Sequence, residues 1–172
     1  MSLAGEQKAV GVPACQGVLQ QYGAIPWRRD RDGAMRILLV TSRGRGRWIV
    51  PKGLRRGDRP PYLSAAMHAF VEAGVIGDIV TYPLADYCYV REVDGGVLQH
   101  CQVTLFDLHV RGTLMNWPER EQRVRGWFDP DEAAGMVQSQ DLARVINAMS
   151  DYRAVMKRQQ ERGRSSSPLP AT

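Results

Sequence analysis

The chain has 172 residues, a formal charge of +5 and 44% hydrophobic residues. That is enough for one domain with a proper core, and it excludes a chain that is disordered throughout. No apolar run is long enough to cross a bilayer, and the positive balance favours anionic partners.

Taken in chain order, residues 1–16 read as a flexible arm, 17–160 as the domain and 161–172 as a disordered tail ending RSSSPLPAT. The start lacks a basic stretch followed by an apolar one, so no secretory signal is expected. VLQQYGAIPW predicts a strand, and RDRDG a turn with Gly33 at its end. MRILLVTS predicts a buried strand that RGRGR breaks. WIVPKG is a short extended piece ending at Pro51, which cannot continue a ladder in mid-sheet.

A helix follows. Pro60 and Pro61 suit its first turn, where missing amide donors cost nothing, and Gly74 is a natural stop. Helical spacing places Leu63, Ala66, Phe70 and Ala73 on the core face, and His68 and Glu72 together on another. GDIVTYPLADYCYVREV and LQHCQVTLFDLHV are two long extended stretches joined by Asp94-Gly95-Gly96, a hairpin signal. RVRGWFD is a further strand. DPDEAAGMV starts a helix with Asp129 as cap and Pro130 in the first position. The last helix carries Leu142, Val145, Ile146 and Met149 as its apolar stripe. Mixed strands covered by helices predict an α/β sandwich.

Basic residues cluster. Arg43, Arg45, Arg47 and Lys52 lie on the strand ends around RGRGR, with Arg55, Arg56 and Arg59 close behind. Arginine's planar fork matches phosphate oxygens, and lysine serves as a point charge. Gly44 and Gly46 would let backbone amides approach an anion. The plain alternative is a solvated basic rim. Cys15, Cys88 and Cys101 form neither a disulfide framework nor a metal knuckle, and read as inert thiols of a cytoplasmic protein.

The stretch PKGLRRGDRPPYLSAAMHAFVEAGV carries the frame G-x5-E-x7-R-E-U-x-E-E-x-G-U, where U is bulky aliphatic. Gly53 is its first glycine, Gly74 its last and Val75 its final aliphatic, with no insertion or deletion. In this the chain resembles the Nudix hydrolases. QYGAIPW, RILLVTSRGRGRWIVPKG, EAGVIGDI and NWPEREQRVRGWFDPDEAAGMV look like the branch that cleaves diphosphoinositol and dinucleoside polyphosphates. The resemblance spans roughly Gly17 to Met149 and implies a Nudix-type α/β/α sandwich with a mixed central sheet.

The departures from the frame bear on chemistry. Its first glutamate falls on Arg59 and its Arg-Glu pair on Met67-His68. Of its Glu-Glu pair the first falls on Val71, and Glu72 alone remains. In the family, glutamates at the positions of His68, Val71 and Glu72 bind divalent cations. Offsets of three and four put them on one helix face. Magnesium prefers carboxylate and water oxygens, whereas the imidazole of His68 suits zinc or manganese. Glu72 and His68 are therefore the candidate metal ligands, holding magnesium or manganese weakly. Glu119 and Glu121 lie in a loop that approaches the active face in relatives, and are the stand-in catalytic acids beside Glu72. Their plain reading is as surface acids, and His68 reads equally as a half-exposed helix residue. His100 and His109 receive no role.

The resulting expectation is a Nudix-fold protein that binds a phosphorylated small molecule of the nucleotide or inositol diphosphate type with little or no hydrolysis. The alternative is an active metal-dependent hydrolase of such a linkage. A protein partner is compatible with either. A nucleic-acid partner is disfavoured, since no stacking run of aromatic and basic residues occurs.

Overall fold

The computed structural model describes residues 17–165. The arm expected over 1–16 and the last residues, 166–172, lie outside the described part. The elements are β1 (Leu19–Arg29), β2 (Met35–Thr41), β3 (Trp48–Ile49), β4 (Lys52–Gly53), α1 (Pro61–Ala73), β5 (Val75–Ile79), β6 (Ala85–Val93), β7 (Val97–Thr113), β8 (Arg125–Phe128), α2 (Pro130–Met136) and α3 (Gln140–Ser165). Helix α3 runs past the domain end expected at residue 160, so the tail expected from residue 161 begins inside a helix.

The strands form a mixed sheet in the order β3-β2-β1-β7-β5, with β4 on β1, β6 on β7 and β8 on β2. Among the described strands only β1 and β7 run parallel, Leu19 beside Cys101 through Trp27 beside His109. β1 changes partner along its other edge. Trp27 to Arg29 pair with β2, whereas Tyr22 and Gly23 pair with β4. Pro26, which has no amide to donate, lies between the two stretches. The sheet splays there, and Lys52 and Gly53 enter beside α1.

The long stretch expected from residue 77 to 93 is two strands. β5 pairs with the far end of β7, Val75 opposite Thr113, and β6 with its near end, Val93 opposite Val97. Pro83, between them, cannot donate to a ladder. The Asp94-Gly95-Gly96 turn joins β6 to β7 as expected, with Gly95 and Gly96 both at positive φ.

Helices cover both faces. On one, Ala65, Ala69 and Ala73 of α1 are fully buried against Ala24, Leu38, Val40 and Phe106. Small side chains every fourth residue let α1 lie close on the sheet. This corrects the expected core face. Of Leu63, Ala66, Phe70 and Ala73, only Ala73 faces the sheet. Leu63, Ala66 and Phe70 instead line, with Met67, Val75 and Ile76, an open groove of about 420 Å³ between α1 and β5. On the other face Leu142, Ile146 and Met149 of α3 are buried with Ile25, Ile37, Leu39, Val103 and Leu105. Each such side chain contributes about 1.5–3 kcal/mol by leaving water.

Two polar contacts fix the helices of this face. Asp129 precedes α2, but its carboxylate accepts from Arg36 Nη1 at 2.6 Å and caps no helix amide. Arg153 of α3 pairs with buried Asp107, which also accepts from Trp27 Nε1 at 2.6 Å. His109 stacks on Trp27 with ring centres 4.2 Å apart, so it is a packing residue.

Candidate functional site

The site is built at the C-terminal end of α1. Gly74 takes the left-handed conformation, φ 62° and ψ 38°, and its amide donates back to the last turn. The carbonyls left over there are taken by residues far along the chain. Trp117 Nε1 donates to Glu72 O at 3.1 Å, and Arg125 Nη1 donates to Ala73 O at 2.8 Å. Arg125 Nη2 also donates to Leu114 O at 2.7 Å, and its guanidinium lies 3.9 Å over the Trp117 ring. A cation at a helix C-terminus complements the helix dipole. A side chain at position 74 would meet Trp117 Cγ at 2.7 Å, so the glycine serves the packing as well as the turn. These contacts pin the loop between β7 and β8 over the helix end. The amide of Glu119 then reaches Val71 O at 3.1 Å.

The pinned loop delivers Glu119 and Arg123 to Glu72. Arg123 Nε pairs with Glu119 Oε2, its Nη1 donates to Thr41 O at 3.0 Å, and its Nη2 stands 3.6 Å from Glu72 Oε2. The side chains of Arg123 and Glu72 are only 7% and 6% exposed. Glu72 Oε2 is buried without a hydrogen bond, so the guanidinium holds it by charge at longer range.

His68 completes the helix face. It is buried, not half-exposed as the sequence suggests. Its Nδ1 lies 3.6 Å from Glu72 Oε1, and its Nε2 is 2.8 Å from Leu54 O. The ring lies flat on Gly53, where a Cβ would meet His68 Cε1 at 2.2 Å. The first glycine of the frame is thus explained by this histidine. Lys52 approaches from β4, its ammonium 4.8 Å over the Tyr89 ring. Burial lowers the Lys52 pKa; Glu72 opposes the shift and Arg123 adds to it.

The other expected residues are placed unevenly. Arg43 is exposed, with its Nη1 3.9 Å from Glu119 Oε1, and so extends the cluster to the surface. Arg45 turns to Glu92 on β6 at 3.8 Å, and Arg47 is exposed on the same turn. Glu121 is exposed and makes no hydrogen bond or ion pair with the cluster among the described residues. Of the backbone amides expected to face an anion, those of Gly46 and Arg47 are spent on Ser42 O and Ser42 Oγ, which close the β2–β3 turn.

Arg123 and Trp117 carry the site and were not singled out from sequence. The alternation in RVRGWFD places Arg123 and Arg125 on one side of an extended segment. Only the pinned loop shows that this side faces α1.

A divalent cation is what the family frame implies, and these side chains do not fit one. Among the described residues, no group of three or more His, Cys, Asp or Glu converges in metal-holding geometry. Val71 offers no donor atom. Glu119 is committed to Arg123, and the free oxygen of Glu72 faces a guanidinium. Lys52 is close enough to feel both Glu72 and Arg123. Chemically, two carboxylates surrounded by arginine and lysine can hold an anion more readily than a magnesium ion.

No family model matches the chain. Among curated proteins it is similar to Nudix hydrolase 16, mitochondrial, of Arabidopsis thaliana, at 29% identity over 123 residues, covering 64% of this chain and 68% of that one. Nudix hydrolase 12, mitochondrial, of the same organism is 29% identical over 120 residues, covering 68% of this chain and 59% of the relative. Among solved structures, a binary complex of C. elegans Ap4A hydrolase superposes with a TM-score of 0.60 at 16% identity, over 80% of this chain and 98% of that one. The chain is thus similar in sequence to Nudix hydrolases and shares their fold. The fold recurs in the Nudix domain of Shewanella oneidensis NrtR complexed with ADP ribose, with a TM-score of 0.59 at 13% identity, over 81% of this chain and 90% of that one. This chain spans between 59% and 69% of the length of the curated relatives it matches. The cytoplasmic location expected from the sequence is overturned: Nudix hydrolases 16, 12 and 13 of Arabidopsis thaliana are mitochondrial by name. No helix of the described residues is long and apolar enough to cross a membrane.

Proposed function

We propose that this Nudix-fold protein binds a phosphorylated small molecule of the nucleotide or inositol diphosphate type, with little or no hydrolysis. The observation that carries the reading is the environment of Glu72. It is the one carboxylate left from the metal-binding set of the frame, and Arg123, His68 and Lys52 surround it. A site of that charge recruits phosphate oxygens directly. It lacks the carboxylate density that gathers magnesium, which would otherwise polarise the phosphoryl group and activate water. Arg43, Arg45 and Arg47 add exposed positive charge at the entrance, and Lys52 lies deeper, beside Tyr89. The ADP ribose bound to the NrtR domain is a ligand of this chemical class on the same fold.

The second reading, an active hydrolase, draws on Glu119, which stands with Glu72 about one guanidinium. One experiment separates the two. ADP-ribose and a panel of nucleoside and inositol diphosphates are titrated by calorimetry in EDTA and in magnesium, and the same samples are assayed for cleavage products. The proposal expects binding in both buffers, weakening with salt, and no product above the protein-free control. Binding that requires magnesium and is accompanied by turnover establishes the hydrolase instead.

A further inference from the structure

Glu72 and Glu119 approach one another from different elements, and both are largely buried, with side chains 6% and 16% exposed. Like charges brought together away from water raise one another's energy unless a cation stands between them. Here that cation belongs to the chain. Arg123 is anchored at three points, by Glu119, by Thr41 O and by the charge of Glu72. Its guanidinium has five donors in a fixed plane. Glu72 Oε2, buried and without a hydrogen bond, faces it at 3.6 Å. A carboxylate oxygen with a free lone pair is what a metal would ligate, and His68 Nδ1 lies 3.6 Å from the other oxygen of the same group.

We propose that Arg123 is a resident cation in the position a divalent metal would take between Glu72 and Glu119, so that the protein holds its anionic ligand without metal. The proposal rests on the reading that the site binds a phosphorylated small molecule. It adds the reason for metal independence. Arg123 holds the two carboxylates in an arrangement in which no three metal donors converge among the described residues. Removing the guanidinium should free Glu72 and Glu119 to turn, with the His68 imidazole, toward a manganese or zinc ion.

The test compares wild type with Arg123→Gln, whose amide can still donate to Thr41 O or Glu119. Thermal unfolding is followed in EDTA and across a MnCl₂ titration, and free Mn²⁺ is counted by electron paramagnetic resonance. Pyrophosphate binding to wild type is measured in both buffers. The wild-type Tm should not respond to manganese. The variant should be less stable in EDTA and recover by roughly 5–10 °C when free Mn²⁺ is a hundredfold above its Kd, binding about one ion per chain. A variant that folds only when manganese is present supports the proposal equally. A saturable Mn²⁺ site in wild type, with a rise in Tm, overturns it. So does a folded Arg123→Gln that binds no manganese. If the variant folds under neither condition, Arg123→Lys keeps the charge and the wild-type titration decides. Manganese-insensitive wild type and Arg123→Lys support the proposal, and a manganese response in either refutes it. Failure of pyrophosphate to bind in either buffer would defeat the ligand-binding reading but leave the manganese comparison to stand on its own.

Discussion

Replacing Gly53 by alanine tests the packing that holds the site together. The backbone at residue 53 is outside the left-handed region, so alanine brings no conformational strain of its own. The new methyl would sit 2.2 Å from His68 Cε1. Carbon atoms pack at about 3.5–4 Å, so the ring or the strand must move by more than about 1 Å. His68 has nowhere easy to go. It is buried, and its Nε2 is held at 2.8 Å by Leu54 O. Overpacking of this kind costs about 1–3 kcal/mol, and a buried hydrogen bond left unmade costs a further ~1–3 kcal/mol. The expected loss is about 2–6 kcal/mol, or roughly 4–24 °C in Tm for a domain of this size. The assay is thermal and urea unfolding of Gly53→Ala, His68→Ala and the double variant. With the ring gone, the methyl occupies emptied space, so Gly53→Ala should cost less than about 1 kcal/mol in the His68→Ala background. Equal losses in both backgrounds would refute the stacking of His68 on Gly53, and with it the placement of His68 against Glu72.

The entrance arginines should separate binding from stability. Arg45→Ala with Arg47→Ala should weaken pyrophosphate binding and flatten its salt dependence while leaving Tm within about 2 °C, because the Arg45–Glu92 pair is exposed. Lys52→Met should do the opposite, costing affinity while raising stability at neutral pH. Burial holds the folded Lys52 pKa below 10.5, so between the folded and unfolded values the unfolded chain binds more protons and wild-type stability rises with pH. The advantage of Lys52→Met should therefore shrink as pH climbs toward that value, read from paired urea titrations. His68→Glu with Val71→Glu places three carboxylates on the α1 face, with Arg123 still set against Glu72. A metal-dependent rise in Tm should appear fully only when Arg123→Gln is added, and an equal rise without that change would show that Arg123 does not compete with metal.

Much of this structure was legible in the sequence because its signals are local. Pro60, Pro61 and Gly74 bound α1 through backbone rules that hold in any context, and Asp94-Gly95-Gly96 does the same for the hairpin. The facing of α1 was not legible. Leucine and phenylalanine at helical spacing compete with alanines at every fourth residue. The contest is settled by how closely the helix can approach the sheet, which is a tertiary matter. Ala65, Ala69 and Ala73 prevail, and Leu63 and Phe70 are left on the groove. The burial of His68 follows from that rotation. The site was half legible. Glu72 stands in the frame that announces it, Lys52 directly precedes that frame, and Glu119 belongs to a loop the sequence places near it. Arg123 was hidden because its role depends on Trp117 and Arg125 pinning that loop to the helix end, a contact between segments far apart in the chain. In the turn RGRGR, a local contact not visible in the sequence takes the amides of Gly46 and Arg47 to Ser42.

On the proposed function, the charge around Glu72 serves ligand binding and not metal-dependent cleavage. The most direct measurement follows one diphosphate ligand, such as ADP-ribose, in a single set of samples by binding calorimetry and product chromatography, with magnesium and with EDTA. Saturable binding of the same affinity in both, with product no faster than in buffer alone, is the predicted result. Magnesium-dependent turnover at about 1 s⁻¹ or faster, in the range of ordinary enzymes and abolished by Glu72→Gln, would contradict it.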